Sequence, residues 1–257
     1  MKAKKVYEFQ TSGSIVNMGY DKIKRDKIDN WFNEYAPDVE YKIDDDFNII
    51  VDGDLILSHT KITELPNNLT VKWDLILNHT KITELPTNLN IGWKLDISHT
   101  NISKLPKKIN IYSWLDISHT NITELPDNLD LNNLSLSHTN ITELPDNLTV
   151  GGLYMSYTKI TELPDDLTVE WDLDISHTNI SELPNNLLVG WNLNMSHTKI
   201  TELPDFLEIN GDLNISNTSI SKLPDNLIVR NNLDIRNTNI TELPDDLIVY
   251  HTIFKDF

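Results

Sequence analysis

The 257-residue sequence contains no cysteine. Disulfide stapling, thiolate nucleophiles and Cys-based zinc sites are thereby excluded, while the redox compartment stays open, because a chain without cysteine suits either one. Glycine is scarce, at 8 residues. No apolar run approaches the ~20 residues that a membrane-spanning helix needs. The start, Met1-Lys2-Ala3-Lys4-Lys5-Val6-Tyr7-Glu8-Phe9, is basic but lacks an apolar stretch of signal-peptide length, so a soluble protein with no Sec signal is expected. Basic residues are few: 21 Lys and Arg stand against 39 Asp and Glu, for a formal charge of −18. Such a field repels phosphate backbones and anionic membranes, so neither nucleic acid nor a membrane is an expected partner. It favours a protein partner with a basic surface, and it equally serves to keep an elongated chain soluble.

What the chain has in abundance is itself. The pattern Leu-x-Ile-Ser-His-Thr-x-Ile-x-x-Leu-Pro-x-x-Leu-x-Val returns from Leu55 to Val249. Thr60, Thr80, Thr100, Thr120, Thr139, Thr158, Thr178, Thr198, Thr218 and Thr238 mark ten copies, 20 residues apart except for two steps of 19. Both short steps fall in the turn before the next strand, at Asn132-Asn133 and Gly151-Gly152. A constant step with deletions confined to turns predicts stacked coils.

Within one copy, Leu173-Asp174-Ile175-Ser176 alternates apolar and polar residues, the period of a strand with one buried face. Identical strands in successive coils must pair in parallel. Ile180 to Pro184 turns the chain, because proline fixes φ and donates no hydrogen bond, and Leu187-Leu188-Val189 is a second short strand before the turn at Gly190-Trp191. No coil can fold alone, since only its neighbours cover its open top and bottom.

These residues resemble leucine-rich repeats, in the short 20-residue Leu-Pro form found in bacterial and bacteriophage proteins. The resemblance covers residues 49–250, about four fifths of the chain. It implies a repeat solenoid of ten 19–20-residue coils with a parallel β-sheet. One departure stands out: the position that such repeats usually give to a buried Asn is Thr throughout. By resemblance these threonines line the interior as a hydroxyl ladder bonded to backbone groups, since a buried hydroxyl must find a partner. An exposed threonine array of the ice-binding type is the competing reading.

Terminal coils expose apolar core unless they are capped. Residues 1–48 read as a small α/β cap or docking region. It comprises a strand at Val6-Tyr7-Glu8-Phe9, a helix from an N-cap at Asp21 to Tyr35 with Ile28, Trp31, Phe32 and Tyr35 on one stripe, and a hairpin through Tyr41-Lys42-Ile43 and Phe47 to Val51. The solenoid itself spans 49–250. Residues 251–257 form a C-terminal cap in which Tyr250, Ile253, Phe254 and Phe257 supply an apolar lid. The N-terminal stretch is also similar to the leader of phage-encoded repeat proteins, which implies a virion component or a factor acting in the host cytoplasm.

Two columns are candidates for chemistry. Histidine recurs at His59, His79, His99, His119, His138, His177 and His197, with Tyr157, Asn217 and Asn237 in the same column. A straight ladder offers neither converging ligands nor supporting partners, so no metal is expected. A solvated stack of rings explains it, with charge repulsion among neighbouring imidazoles expected below about pH 6. Glutamate recurs at Glu64, Glu84, Glu124, Glu143, Glu162, Glu182, Glu202 and Glu242, with Lys104 and Lys222 in two coils. All share one exposed setting, whereas acid–base catalysis needs carboxylates in distinct environments. No catalytic residue and no cofactor are expected.

The column between the two inward strand residues varies most: Ile56, Ile76, Asp96, Asp116, Ser135, Tyr154, Asp174, Asn194, Asn214, Asp234. By resemblance it faces the concave sheet, with Ser58 to Arg236 as its neighbouring column, and it is the expected binding face. A second candidate is the tryptophan edge, Trp73, Trp93, Trp171 and Trp191, with Trp114 offset by one. Exposed aromatics are enriched at interfaces, although a Trp at a coil turn equally serves as a packing shield. The readings are therefore a non-catalytic protein-binding solenoid, phage-encoded by resemblance, or a structural virion component docked through residues 1–48. A carbohydrate- or receptor-binding adhesin is a third. Neither partner identity nor oligomeric state is legible.

Overall fold

A computed structural model describes residues 5–7, 15–107, 109–126, 129, 131–146, 148–205 and 207–257. The chain forms two compact units, Met1–Asn121 and Ile122–Phe257. The first holds the helix and the repeats marked by Thr60 to Thr120. The second holds those marked by Thr139 to Thr238.

In the first unit the leucine that opens each repeat pairs with its counterpart one coil on, Leu55↔Leu75, Leu75↔Leu95 and Leu95↔Leu115, every pair parallel. A second parallel sheet runs through the other side of the coil as Val51↔Val71, Val71↔Ile91 and Ile91↔Ile111. Alternation makes both sheets one-sided, so the partners that face inward are buried. In the second unit the chief ladder runs Leu134↔Leu153, Leu153↔Leu173, Leu173↔Leu193, Leu193↔Leu213, Leu213↔Leu233 and Leu233↔Ile253, again all parallel.

The two shortened turns have a visible consequence. With one residue missing before the strand, the chain stays extended, and the two short strands of a coil fuse into Leu131–Ser135 and Thr149–Tyr154. Gly151 is required there. A Cβ on it would run into the carbonyl oxygen of Asn132 and lie 2.7 Å from the ring of Trp171.

The helix α1 runs Ile15–Tyr35, starting well before Asp21, which therefore lies inside it and not at its cap. Gly19 costs a helix only ~1 kcal/mol relative to Ala, too little to interrupt it. The helix stops before Pro37, whose ring disfavours helical geometry at Ala36. Phe32 is fully buried and stacks on Tyr41 with ring centroids 3.9 Å apart. Ile28, Trp31 and Tyr35 are only half-buried, so the stripe is incompletely covered. Tyr41–Ile43 and Ile49–Val51 form the antiparallel hairpin expected. A strand at Lys5–Tyr7 pairs in parallel with Tyr41–Ile43, while Glu8 and Phe9 lie outside the described residues. At the far end, Ile253–Phe254 adds a strand to the sheet instead of closing over it, leaving Tyr250, Phe254 and Phe257 exposed. Among the described residues no helix is long and apolar enough to cross a membrane.

Candidate functional site

The threonines point inward. Thr100, Thr120, Thr139, Thr158, Thr178, Thr198 and Thr218 are buried, and each hydroxyl donates to the carbonyl three residues earlier at 2.7–2.9 Å. The hydroxyl thus terminates the strand by satisfying the last carbonyl before the bend. Thr80 is equally buried, but its Oγ1 has no partner. An exposed threonine array is excluded.

The histidines and their substitutes share a backbone conformation. His59, His79, His99, His119, His138, Tyr157, His177, His197, Asn217 and Asn237 all have φ between 54 and 60°. This is the left-handed region, where Asn and His are enriched among non-glycine residues. The rings stack: His59 on His79 at 4.6 Å, His79 on His99 at 4.3 Å and His99 on His119 at 4.1 Å in the first unit. In the second unit His138, Tyr157, His177 and His197 stack at 4.1–4.4 Å. Desolvation by the flanking rings, and then the charge of neighbouring imidazoles, lowers the pKa of His79 and His177 below the ordinary value. Among the described residues no three His, Asp or Glu converge as a metal site.

The proposed sheet face has a local role that the alternation pattern hides. Asp96, Asp116, Asn194 and Asn214 each accept hydrogen bonds through Oδ1 from both the backbone N–H and the hydroxyl of the serine two residues on. Asp174 accepts the N–H of Ser176, and Asp234 holds Arg236 through its backbone and guanidinium. These are Asx turns, which lead the chain into the left-handed residue. The column is therefore not free of structural constraint, as its variability suggests. Asp96 is buried outright. Ile56 and Ile76, in the same column, carry no acceptor for such a cap. Ile56 is 61% exposed and pairs in register with half-buried Ile76. Tyr154 is half-buried, and its hydroxyl, 3.3 Å from Asp172 Oδ2, is raised in pKa by burial and by that carboxylate.

Tryptophans at the coil turns are adjacent within each unit. Trp93 N–H donates to the Trp73 carbonyl at 3.2 Å, and Trp191 N–H to that of Trp171 at 2.8 Å. Trp73, Trp93, Trp171 and Trp191 are all exposed; Trp171, at 47% the least so, lays its ring across Gly151 and is partly a packing shield. Trp114, displaced by one position, is half-buried with its indole nitrogen unpartnered, beneath the Lys94 ammonium at 5.0 Å. The glutamate column and Lys104 and Lys222 are exposed.

A further ladder went unread in the sequence. Asp172 Oδ1 accepts the backbone and side-chain N–H of Asn192, whose Oδ1 accepts Asp212 N–H, and Asp212 Oδ1 in turn accepts both from Asn232. The signal was there, in the strict alternation Asp172, Asn192, Asp212, Asn232, which caps successive coils without stacking two carboxylates.

No protein-family model matches the chain, and no curated protein sequence matches it. Solved structures do. YopM from Yersinia enterocolitica superimposes with a TM-score of 0.53 at 24% identity, covering 79% of this chain and 52% of that one. The functional domain of InlJ from Listeria monocytogenes, which includes a cysteine ladder, gives 0.56 at 23% identity over 78% of this chain and 48% of that one. A leucine-rich repeat protein from Bacteroides eggerthii gives 0.53 at 17% identity, covering 84% and 46%. The chain thus spans about half the length of these proteins. Parallel in-register coils, the inward threonines and these likenesses together make the fold that of the leucine-rich-repeat proteins.

Proposed function

We propose that the chain is a non-catalytic solenoid that binds a protein through the uncapped positions of its sheet face. The carrying observation is Ile56, exposed and in register beside Ile76, at positions where most other coils spend an Asp or Asn on an Asx turn. An isoleucine there serves no local bond, and at interfaces a few residues that the partner buries carry most of the binding energy. In the second unit the corresponding anchor is Tyr154, flanked in register by Asp174. Asp96, Asp116, Asp174 and Asn194 then act as polar surroundings already fixed by their serines. The exposed Trp73 and Trp93 in the first unit, and Trp191 with Trp171 in the second, give each unit a second surface for contact. The setting, a phage-encoded protein, rests on the resemblance of the leader and repeats.

The test substitutes Ile56, Ile76 and Tyr154 together by Ser and measures capture of the partner by the immobilised protein. Loss of two or three anchors worth ~2 kcal/mol each lowers affinity by well over tenfold. Undiminished capture, with thermal unfolding unchanged, moves the interface to the tryptophan edge. A second reading, docking to a particle through residues 1–48, is favoured by the half-covered stripe Ile28 and Trp31; it is read by deleting those residues and assaying particle association.

A further inference from the structure

A cavity of about 430 Å3 opens between α1 and the Leu-Pro turn of the first coil. That volume lies at the small end of the range for ligand sites, about 300–1,000 Å3. One wall is a single helix stripe, Lys24, Lys27, Ile28 and Trp31, at i, i+3, i+4 and i+7. Leu65 and Pro66 form the facing wall, and Phe47 lines it as well.

Three observations distinguish it from the other grooves of the coils. Its walls are pinned together, because the Trp31 indole N–H donates to the Glu64 carbonyl at 3.1 Å. Phe47 sits at φ 62°, a conformation uncommon for a bulky residue, and so places its ring 4.7 Å from the Lys24 ammonium and 5.4 Å from the Arg25 guanidinium. Finally, the cavity is lined by two ammonium groups, Lys24 and Lys27, against one carboxylate, Glu64, in a chain of net charge −18. Arg25 turns to the carbonyls of Ile43 and Asp44 and to the Asp45 carboxylate. Lys24 and Lys27 remain at the rim, exposed, and Lys27 meets Glu64 only at 4.0 Å.

A wholly apolar ligand would make no use of the two ammonium groups, and a bare anion would leave the half-buried Ile28 and Trp31 wet. A carboxylate carried beside an apolar side chain satisfies both. We propose that this cavity binds an acidic peptide segment of a partner protein, its aromatic or aliphatic side chain on Ile28, Trp31 and Leu65 and a flanking carboxylate at Lys24 or Lys27. The charge sense is opposite to that of the rest of the chain, so this partner surface differs from the one that the sheet face attracts. The site rests on the reading of residues 1–48 as a docking element only for its setting. It stands or falls on peptide binding in solution, whereas particle docking is read by deletion.

The experiment uses the full chain with 15N-labelled tryptophan and the peptide acetyl-Gly-Asp-Phe-Glu-Gly-amide as probe. The Trp31 indole resonance is identified by its loss in Trp31→Phe. It should shift saturably with the acidic peptide, and at least about tenfold less affinity is expected for the Asn/Gln isostere and for the peptide with Ala in place of Phe. Lys24→Gln with Lys27→Gln should weaken binding about tenfold without changing thermal unfolding, and added salt should weaken it in the wild type. The proposal is overturned by an unmoved Trp31 resonance at the highest soluble peptide concentration, by equal affinity for the uncharged peptide, or by equal affinity of the double variant.

Discussion

Substituting valine for Thr100 and, separately, for Thr80 tests how the threonine column stabilises the coils. The two sit in adjacent coils at 4% and 6% exposure, so burial does not distinguish them. Their hydrogen bonds do: Thr100 Oγ1 donates to the Ile97 carbonyl at 2.7 Å, whereas Thr80 Oγ1 has no partner. Valine keeps the shape and removes only the hydroxyl. At Thr100 the loss is a bond with a net value of ~0.5–1.5 kcal/mol plus part of the cost of an orphaned buried carbonyl, so a destabilisation of about 1–2 kcal/mol is expected. At Thr80 the substitution removes a polar atom that is buried to no purpose, and a change between zero and a stabilisation of ~1 kcal/mol is expected. For a chain of this length 1 kcal/mol moves Tm by ~2–4 °C, which resolves the two variants. Because repeat stability is a sum of coil and neighbour contributions, urea unfolding should be paired with amide exchange at Leu95 to Ile97, where the opening is local. Equal losses in both variants, or a greater loss at Thr80, would refute the assignment of the column's stability to its strand-end bonds.

Asn214→Ala removes the acceptor of both the N–H and the hydroxyl of Ser216, and should cost about 1–2 kcal/mol in denaturant unfolding, whereas Ile56→Ala at the same column of another coil should cost less. The depressed histidines set a pH dependence. The unfolded chain takes up protons near pH 6.5 while His79 and His177 resist them, so stability is full above that value and falls as pH drops through the lowered folded pKa values. His79→Asn with His177→Asn keeps residues suited to the left-handed backbone and should flatten Tm between pH 7 and pH 5; an unchanged slope would refute the role of these rings.

Much of the fold was legible because the repeat leaves little choice. A 20-residue step with alternating Leu and Ile admits one register, and Leu173↔Leu193 realises it. The inward threonines followed from the apolar residues on either side. The backbone conformation of the histidine column was not legible, since His, Tyr and Asn read as a solvated set and only coordinates reveal their common positive φ. The Asx turns were also missed, because Asp96 and Asn194 look like ordinary outward residues of a strand, and the serine two positions on carries no sign that it is their donor. The start of α1 was misplaced because Asp21 is a good cap residue that happens to lie within a longer helix. The C-terminal lid failed for a different reason: Ile253–Phe254 could satisfy its backbone by extending the sheet, so its aromatics had no need to fold over the coil.

The identity of the left-handed residue has a physical reason of its own. Glycine is the residue that adopts this conformation without steric cost, yet no coil uses it, and the chain has only 8 glycines in all. A glycine would also leave the bend without a side chain to contact its neighbours. An imidazole accepts part of the conformational cost and returns stacking against the ring above and the ring below at 4.1–4.6 Å in the first unit. That gain exists only when adjacent coils both carry a ring. Tyr157 preserves it, bridging His138 and His177, whereas Asn217 and Asn237 give up the stack and keep the fit to the backbone, with Asn217 Nδ2 donating to Ser216 Oγ at 3.3 Å. The column is thus a cooperative feature of neighbouring coils, and its histidines are explained by packing before any ligand is invoked. By the same reasoning the residues that neither stack, cap a turn nor fill the core, Ile56 foremost among them, are the ones whose exposure the fold does not account for.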